Sequence, residues 1–521
     1  MPFVKITERA VWLWLLLAST FASAEIRYLD IWEYRVDGNT LLSQTVVAKT
    51  LEPFLGVARK VSDTYAAAEA LQQAYRAAGY PTVYVEVPDQ DVTAGVVKLA
   101  VTQAAVRRVS VTGSRYFTLS GIRETVPVLK RGQVLHVPTL QEELQRANQV
   151  NRDLKVVPIV TQGPTEKSID VELSVADSPP LHGGVSVSNY NSEGTTPTRL
   201  SAELSYGNLW QANHELGLQA QISPENEKEV RVFSANYSLP LDNEGDKLAL
   251  YTVLSDSEIA TVGDVNVIGK GTIIGLRYIN PFVQTARAVH SISLGVDYKD
   301  FKENLELLDG TTERRPITYS SWSALYNLFN RGEKVITEFN AGLTFGIRGL
   351  ENSDDEFDTK RSLGVPNFAL LDLGLKQTWQ LPGDWKFRYR LRGQLSDSPL
   401  VSNEQYSAGG VGSVRGYYEA QVQGDYGAIG NIELETPDFG RSWTGFDSFT
   451  MQWFYDAARL RLENAAADQE DDFQIESTGL TLHARALKHL NLDVSGGYIL
   501  KEAGELDRGS VRTRARMSVE F

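Results

Sequence analysis

From Val511 to Phe521 the side chains alternate without a break. Val511, Thr513, Ala515, Met517, Val519 and Phe521 fall on one face of a strand, and Arg512, Arg514, Arg516, Ser518 and Glu520 on the other. An arginine facing lipid at mid-membrane costs roughly 2–4 kcal/mol. A membrane-crossing strand of this composition must therefore turn its arginines to a lumen and leave Phe521 at the membrane boundary. The same period recurs after Pro179-Pro180, where it predicts about sixteen strands, an even number as a bacterial barrel requires. They lie near 183–190, 198–206, 213–222, 230–238, 247–254, 271–279, 289–298, 316–327, 334–346, 367–379, 385–396, 425–435, 448–458, 475–485, 490–500 and 511–521.

Connection lengths support this order. If the first strand runs outward, even-to-odd connections are periplasmic, and 207–212, 381–384 and 486–489 are short. The odd-to-even connections 299–315, 347–366, 397–424 and 459–474 are long and polar. Short inner turns and longer outer loops are the asymmetry expected of such barrels. The acidic runs Asp354-Asp355-Glu356 and Asp468-Gln469-Glu470-Asp471-Asp472 read as solvated parts of those outer loops.

Composition is compatible with this and excludes other classes. The chain is 42% hydrophobic and 22% charged, with a mean hydropathy of -0.24. It has no run of eighteen or more apolar residues, so a helical membrane protein is excluded while a barrel is not. Gly (42), Tyr (22) and Trp (9) are abundant and Met (3) is scarce, as in β-rich membrane structure. A net charge of -15 argues against a nucleic-acid binder. The six histidines lack metal-ligand spacing and no G-x-S-x-G elbow occurs, so neither catalysis nor a cofactor is expected. Residues 1–24 read as a cleaved signal, with Lys5 and Arg9, an apolar Val11–Ala18 and Ala22-Ser23-Ala24 as the cleavage site. The chain has no cysteine, so lipidation of the mature N-terminus and disulfides are ruled out.

Residues 25–103 and 104–178 form a weak repeat. Val36-Asp37-Gly38-Asn39 and Val111-Thr112-Gly113-Ser114 each end an apolar strand and turn into a helical stretch. Ala68, Leu71, Tyr75 and Ala78 make one helical stripe, closed by Gly79. Leu140, Leu144 and Ala147 make the other, opened by a capping box at Thr139-Leu140-Gln141-Glu142. Strands at Thr82–Val87 and Gly95–Val101, then at Lys155–Thr161 and Ser168–Val175, complete two β-α-α-β-β modules. Open edges of their three-stranded sheets suit capture of an extended peptide.

One loop stands apart. Gly409, Gly410 and Gly412 precede Ser413-Val414-Arg415-Gly416-Tyr417 between the eleventh and twelfth strands. A phosphate loop would need a G-K-[ST] ending and a following helix, and has neither. The run reads instead as a compact turn that aims Arg415 into the pore, with Asp456 of Phe454-Tyr455-Asp456-Ala457 on the thirteenth strand as its partner.

With two modules, a barrel and that tetrapeptide in order, the chain resembles the haemolysin secretion/activation transporters of two-partner secretion. The resemblance implies two POTRA modules ahead of a transmembrane antiparallel β-barrel of 16 strands over 179–521, in the outer membrane with the modules in the periplasm. In that family a V-R-G-[YF] loop tucks into the lumen, matched here by Val414, Arg415, Gly416 and Tyr417. An aspartate of an F-x-D-x-G motif tethers it; Asp456 matches, while Ala458 replaces the glycine. The implied function is secretion of one large β-helical exoprotein, bound unfolded by the modules. Other implied partners are outer-membrane lipid and the barrel-assembly machinery, which reads Phe521 as a C-terminal signal; a monomer is expected. The entry of Glu25–Leu29 straight into the first module argues against an N-terminal plug helix. An assembly factor for other barrels is the alternative. A passive porin has no use for the modules.

Overall fold

Gly38 and Gly113 both take left-handed backbone, with φ of +87° and +85°. A methyl group on Gly38 would lie 2.5 Å from the Val101 carbonyl oxygen, and one on Gly113 2.3 Å from that of Val175. Each glycine thus lets the turn after a module's first strand press against its last. The computed structural model describes residues 28–521 apart from 93, 242–244, 258, 263–264, 286, 307–311, 351, 443–445 and 466–468. The leader assigned to residues 1–24 lies outside the described residues.

The first module has strands Glu33–Asp37, Val83–Glu86 and Val96–Gln103 with helices Gln44–Leu51 and Val61–Ala77. The second has strands Ala105–Thr112, Leu154–Gln162 and Ser168–Asp177 with helices Leu119–Glu124 and Val137–Val150. In both sheets the last strand is central, flanked by the first and the middle strand. Ala68, Leu71 and Tyr75 are buried with Val83, Val85 and Leu99, which is why that helical stripe carries the first core. Two local readings need correction. Strands Tyr28–Ile31 and Gly56–Lys60 add a two-stranded ribbon to the first module, too short for alternation to reveal. The second module's long helix starts at Val137, so Thr139 lies inside its first turn and does not cap it. There its hydroxyl meets His136 Nδ1 at 2.7 Å, and Leu140 N–H already donates to the His136 carbonyl.

The chain packs as two units. One runs up to Ser110 and adds 126–143 and 158–173, and the other holds 111–125, 144–157 and the barrel from 174 onward. Within the latter, Asp177 fixes the Gly113 turn, accepting from the Ser114 hydroxyl (3.0 Å) and from the N–H groups of Arg115 (2.7 Å) and Tyr116 (2.8 Å). Burial works to raise the Asp177 pKa, but these bonds outweigh it and hold the carboxylate below its usual range. The folded form gains from this above the usual carboxylate pKa and loses it as pH falls through the depressed value. Replacing Gly113 by valine adds a left-handed penalty of roughly 1–2 kcal/mol to the clash with Val175. Limited proteolysis of the detergent-solubilised protein is expected to show faster cleavage in the second module and an unchanged barrel core.

Sixteen strands close a barrel in which each pairs with its sequence neighbour. They are Leu181–Ser188, Arg199–Leu209, His214–Ile222, Arg231–Pro240, Lys247–Ser255, Gly271–Gln284, Ala288–Glu306, Thr312–Arg331, Val335–Gly346, Ala369–Gln380, Lys386–Ser396, Tyr426–Glu435, Ser448–Arg461, Asp472–Ala486, Leu490–Ile499 and Val511–Glu520, and ordinals below follow this order. The sixteenth pairs with the first from Arg516↔Ser188 to Glu520↔Gly184. Phe521 N–H and the Gly183 carbonyl then bond at 2.9 Å, with the reciprocal bond at 3.1 Å. Leu250, Leu254, Met517 and Val519 stay exposed, as a lipid-facing side must, while Arg514 is fully buried inside.

Connections 332–334 and 487–489 are tight turns, and the opposite end carries 347–368, 397–425 and 500–510. The expected long loop at 299–315 is instead mostly paired strand, since the seventh and eighth strands have 19 and 20 residues. Crossing a membrane needs about 9–11, so this hairpin continues past the bilayer. Asp354–Lys360 forms a short helix whose acidic first turn is exposed. Asp472 belongs to a strand and not to a solvated run: it bonds the guanidinium groups of Arg459 and Arg461.

Candidate functional site

The connection from the eleventh to the twelfth strand begins as a small hairpin, Tyr406–Ala408 against Val422–Gly424. Its tip is a turn locked by Ser413, whose hydroxyl donates to the Gly409 carbonyl (2.9 Å) and accepts the Gly409 N–H (2.8 Å). Gly410 N–H donates to the Val414 carbonyl at 3.1 Å. Gly409 and Gly410 have φ of +118° and +94°, and a methyl on Gly410 would lie 2.0 Å from the Glu419 carboxylate. Gly412 is different: nothing lies within 4 Å of where its methyl would be, so sterics do not demand glycine there.

This turn presents Arg415 to the lumenal wall. Its Nε and Nη2 donate to the two carboxylate oxygens of Asp456, each at 2.7 Å, and its backbone N–H donates to the same Asp456 at 3.0 Å. Nη2 also reaches Glu433 at 2.9 Å. The guanidinium lies over the Phe454 ring, 3.9 Å from its centroid. Asn431 Nδ2 bridges the Ser413 carbonyl (2.5 Å) and Asp456 Oδ1 (2.8 Å). Asp456 is wholly buried and Arg415 is 7% exposed. A two-oxygen pairing shielded from water, with further donors on the carboxylate, is the geometry in which an ion pair holds position best. Ala458 is buried in one apolar cluster with Val414, Tyr417, Ile429 and Ile475, so a methyl is accommodated there.

The loop's other flank leans on the last strands. Tyr417 hydroxyl sits between the carbonyls of Glu476 (2.9 Å) and Lys501 (2.5 Å). Gly416, with φ +94°, meets Gly497 backbone to backbone; a methyl on Gly497 would lie 2.7 Å from the Gly416 Cα. Arg514 Nη2 donates to the Tyr417 carbonyl at 2.7 Å, and Arg512 stacks 3.3 Å from the Tyr418 ring centroid. The loop therefore lies along the wall from the twelfth strand to the sixteenth. Beside it remains a cavity of about 860 Å³ whose walls carry both signs of charge, including Glu203, Asp372, Arg390 and Arg516.

Asn431, Glu433 and Gly497 complete this site without having been picked out from the sequence as parts of it, and Phe454 of the Asp456 motif supplies the ring beneath the guanidinium. Asn431, Glu433 and Glu435 alternate along the twelfth strand, a polar face that could have been read as lumenal next to the loop. Gly497 carries no such signal until the loop is placed.

A closed barrel of sixteen strands, two preceding β-α-α-β-β modules and a loop clamped to the lumenal wall define an outer-membrane transporter of the POTRA-barrel class. The family profile for haemolysin secretion/activation protein ShlB/FhaC/HecB matches residues 167–485, and that for POTRA domain, ShlB-type, matches 29–104. The chain belongs to that secretion/activation family, the outer-membrane transporters of two-partner secretion. It is 21% identical over 437 residues to the outer membrane transporter CdiB of Dickeya dadantii (strain 3937), covering 77% of this chain and 71% of the relative. Among solved structures, CdiB from Escherichia coli superposes with a TM-score of 0.70 at 18% identity, covering 97% of this chain and 93% of the other. BamA from Haemophilus ducreyi lacking POTRA domains 1–3 superposes with a TM-score of 0.57 at 13% identity, over 95% and 100% of the two chains.

Proposed function

We propose that this transporter receives one large, unfolded β-helical exoprotein on its POTRA modules and passes it outward in a cycle that needs the Arg415 loop both to yield to the client and to return to its seat. The observation that carries the reading is the buried Arg415–Asp456–Glu433 cluster beside an open lumenal cavity. Such a cluster holds a resting position without any covalent bond, so an incoming chain displaces it reversibly. In this reading Val414, Gly416 and Tyr417 seat the loop, Gly409 and Gly410 shape its turn, and Asp456 is the tether.

Domain boundaries follow the repeat: modules over 25–103 and 104–178, and the barrel over 179–521. The sheet edges are the recognition surface. On the second module's edge strand Leu154–Gln162, Val157, Ile159 and Val160 are exposed. An extended client adds there through main-chain hydrogen bonds. Folding of the client outside supplies the direction of travel, and the protein acts as a transporter without chemistry of its own. It works as a monomer in outer-membrane lipid after the barrel-assembly machinery has read Phe521.

Deleting either module from the full chain is expected to abolish capture of the client's N-terminal segment in a pull-down. Unchanged affinity would assign recognition to the barrel. Loss of one exported protein in a knockout, with other outer-membrane proteins at normal levels, separates this reading from an assembly factor.

A further inference from the structure

The inner faces of the fifth to eighth strands break the polar pattern at their outer ends. Ile273, Phe301 and Ile317 share the lumenal parity of Arg277, Asp297 and Tyr319, and all three are buried, whereas lipid-side Ile274, Leu276 and Tyr298 are exposed. What covers them is loop structure. Phe357, from the helix Asp354–Lys360, and Leu400 and Val401, from the base of the Arg415 loop, are each 1% exposed in the same apolar cluster. Tyr319 packs edge-on against Phe357, with centroids 5.4 Å apart.

A charged pin stands beside this cluster. Glu404, three residues past Val401, accepts from Lys299 on the seventh strand and from the Tyr319 hydroxyl on the eighth. The side chains of Glu404 and Lys299 are only 7% and 12% exposed. Lys299 also lies 5.6 Å from the Tyr319 ring centroid. Asp425, fully buried, holds the loop base by accepting from Leu400 N–H (3.1 Å) and Gln405 Nε2 (3.0 Å). Arg415 reaches the twelfth and thirteenth strands, so the loop crosses from one lumenal wall to another.

We propose that Glu404 is a second positioning residue of this loop, pinning it to Lys299 and Tyr319 so that Phe357, Leu400 and Val401 seal the outer lumen. An apolar constriction blocks ions by excluding water, whatever the width of the cavity below it. The seal does not depend on Arg415 for its contacts, so release of the Arg415 end alone leaves the outer mouth shut.

Single-channel recording on the full-length protein in planar bilayers tests this. Glu404→Gln keeps the shape of the side chain and removes its charge, and Phe357→Ser removes the seal's central ring. Both are expected to raise the open fraction several-fold over the parent protein. Reversing the pair, Glu404→Lys with Lys299→Glu, is expected to bring it back towards the parent value. Folded protein is confirmed by the heat-dependent gel shift typical of barrels. Parent-like conductance in folded Glu404→Gln and Phe357→Ser together would overturn the inference. Opening in Arg415→Ala with both other variants silent would also overturn it, while leaving the Arg415 tether standing.

Discussion

An Arg415→Ala variant is expected to insert its barrel normally and to lose nearly all secretion. The barrel does not need this side chain, because every strand pairing runs through other residues. The loop does need it. Truncation leaves Asp456 wholly buried with its two best donors gone, and stranding a buried charge costs roughly 3–5 kcal/mol. Against a loop seated by a handful of hydrogen bonds, that is enough to empty the seat. Asp456→Ala is expected to be milder, since Glu433 still holds the guanidinium at 2.9 Å. Reversing both charges, Arg415→Asp with Asp456→Arg, restores an attraction but places the new carboxylate beside Glu433. Partial recovery is the expected outcome, improved by adding Glu433→Gln. Secreted client in culture supernatant, measured against folded barrel in outer-membrane fractions, reads all four. Secretion at the parent level by Arg415→Ala would remove the loop from the mechanism.

A Gly497→Val variant is expected to match that loss with every charge in place. Gly497 lies on the fifteenth strand, and its missing side chain is what admits Gly416; even a methyl would sit 2.7 Å from the Gly416 Cα. Backbone contacts of that kind do not relax by rotating a side chain, so the loop must lift. Valine also suits a strand, which makes the barrel tolerant of the change. Protease cleavage within 409–419 on intact cells is expected to rise together with the secretion defect. A valine variant that secretes normally would show that the loop works without its close seat on the wall.

The barrel was legible because lipid demands one answer at every second position, and strand ends inferred from alternation fall close to the observed ones. It became illegible where another element covers the lumenal face. Ile273 and Ile274 are adjacent apolar residues, so the sixth strand alternates poorly, and the covering residues Phe357, Leu400 and Val401 explain why the inner one is apolar. The long hairpin of the seventh and eighth strands was read as loop for a related reason: polar residues beyond the bilayer carry no alternating signal. In the site, Val414 to Tyr417 and Asp456 stand out by residue type and spacing. Glu433 and Gly497 do not, because their significance comes from which wall the loop leans on. The Thr139 capping box matched its pattern, but the helix had already begun at Val137, with Pro138 in its first turn, where a missing N–H is harmless.

The bonds between Gly183 and Phe521 set an order of events in the life of the molecule. The first and sixteenth strands are partners, so the ring has no complete form until that sixteenth strand has been made. Until then every partial product carries an unpaired strand, the kind of edge that recruits other chains. Joining sites that far apart in sequence is also slow, because much chain freedom is lost before the contact forms. The open sheet must therefore be kept from other chains until the sixteenth strand is in place, and a product lacking that strand cannot close this ring.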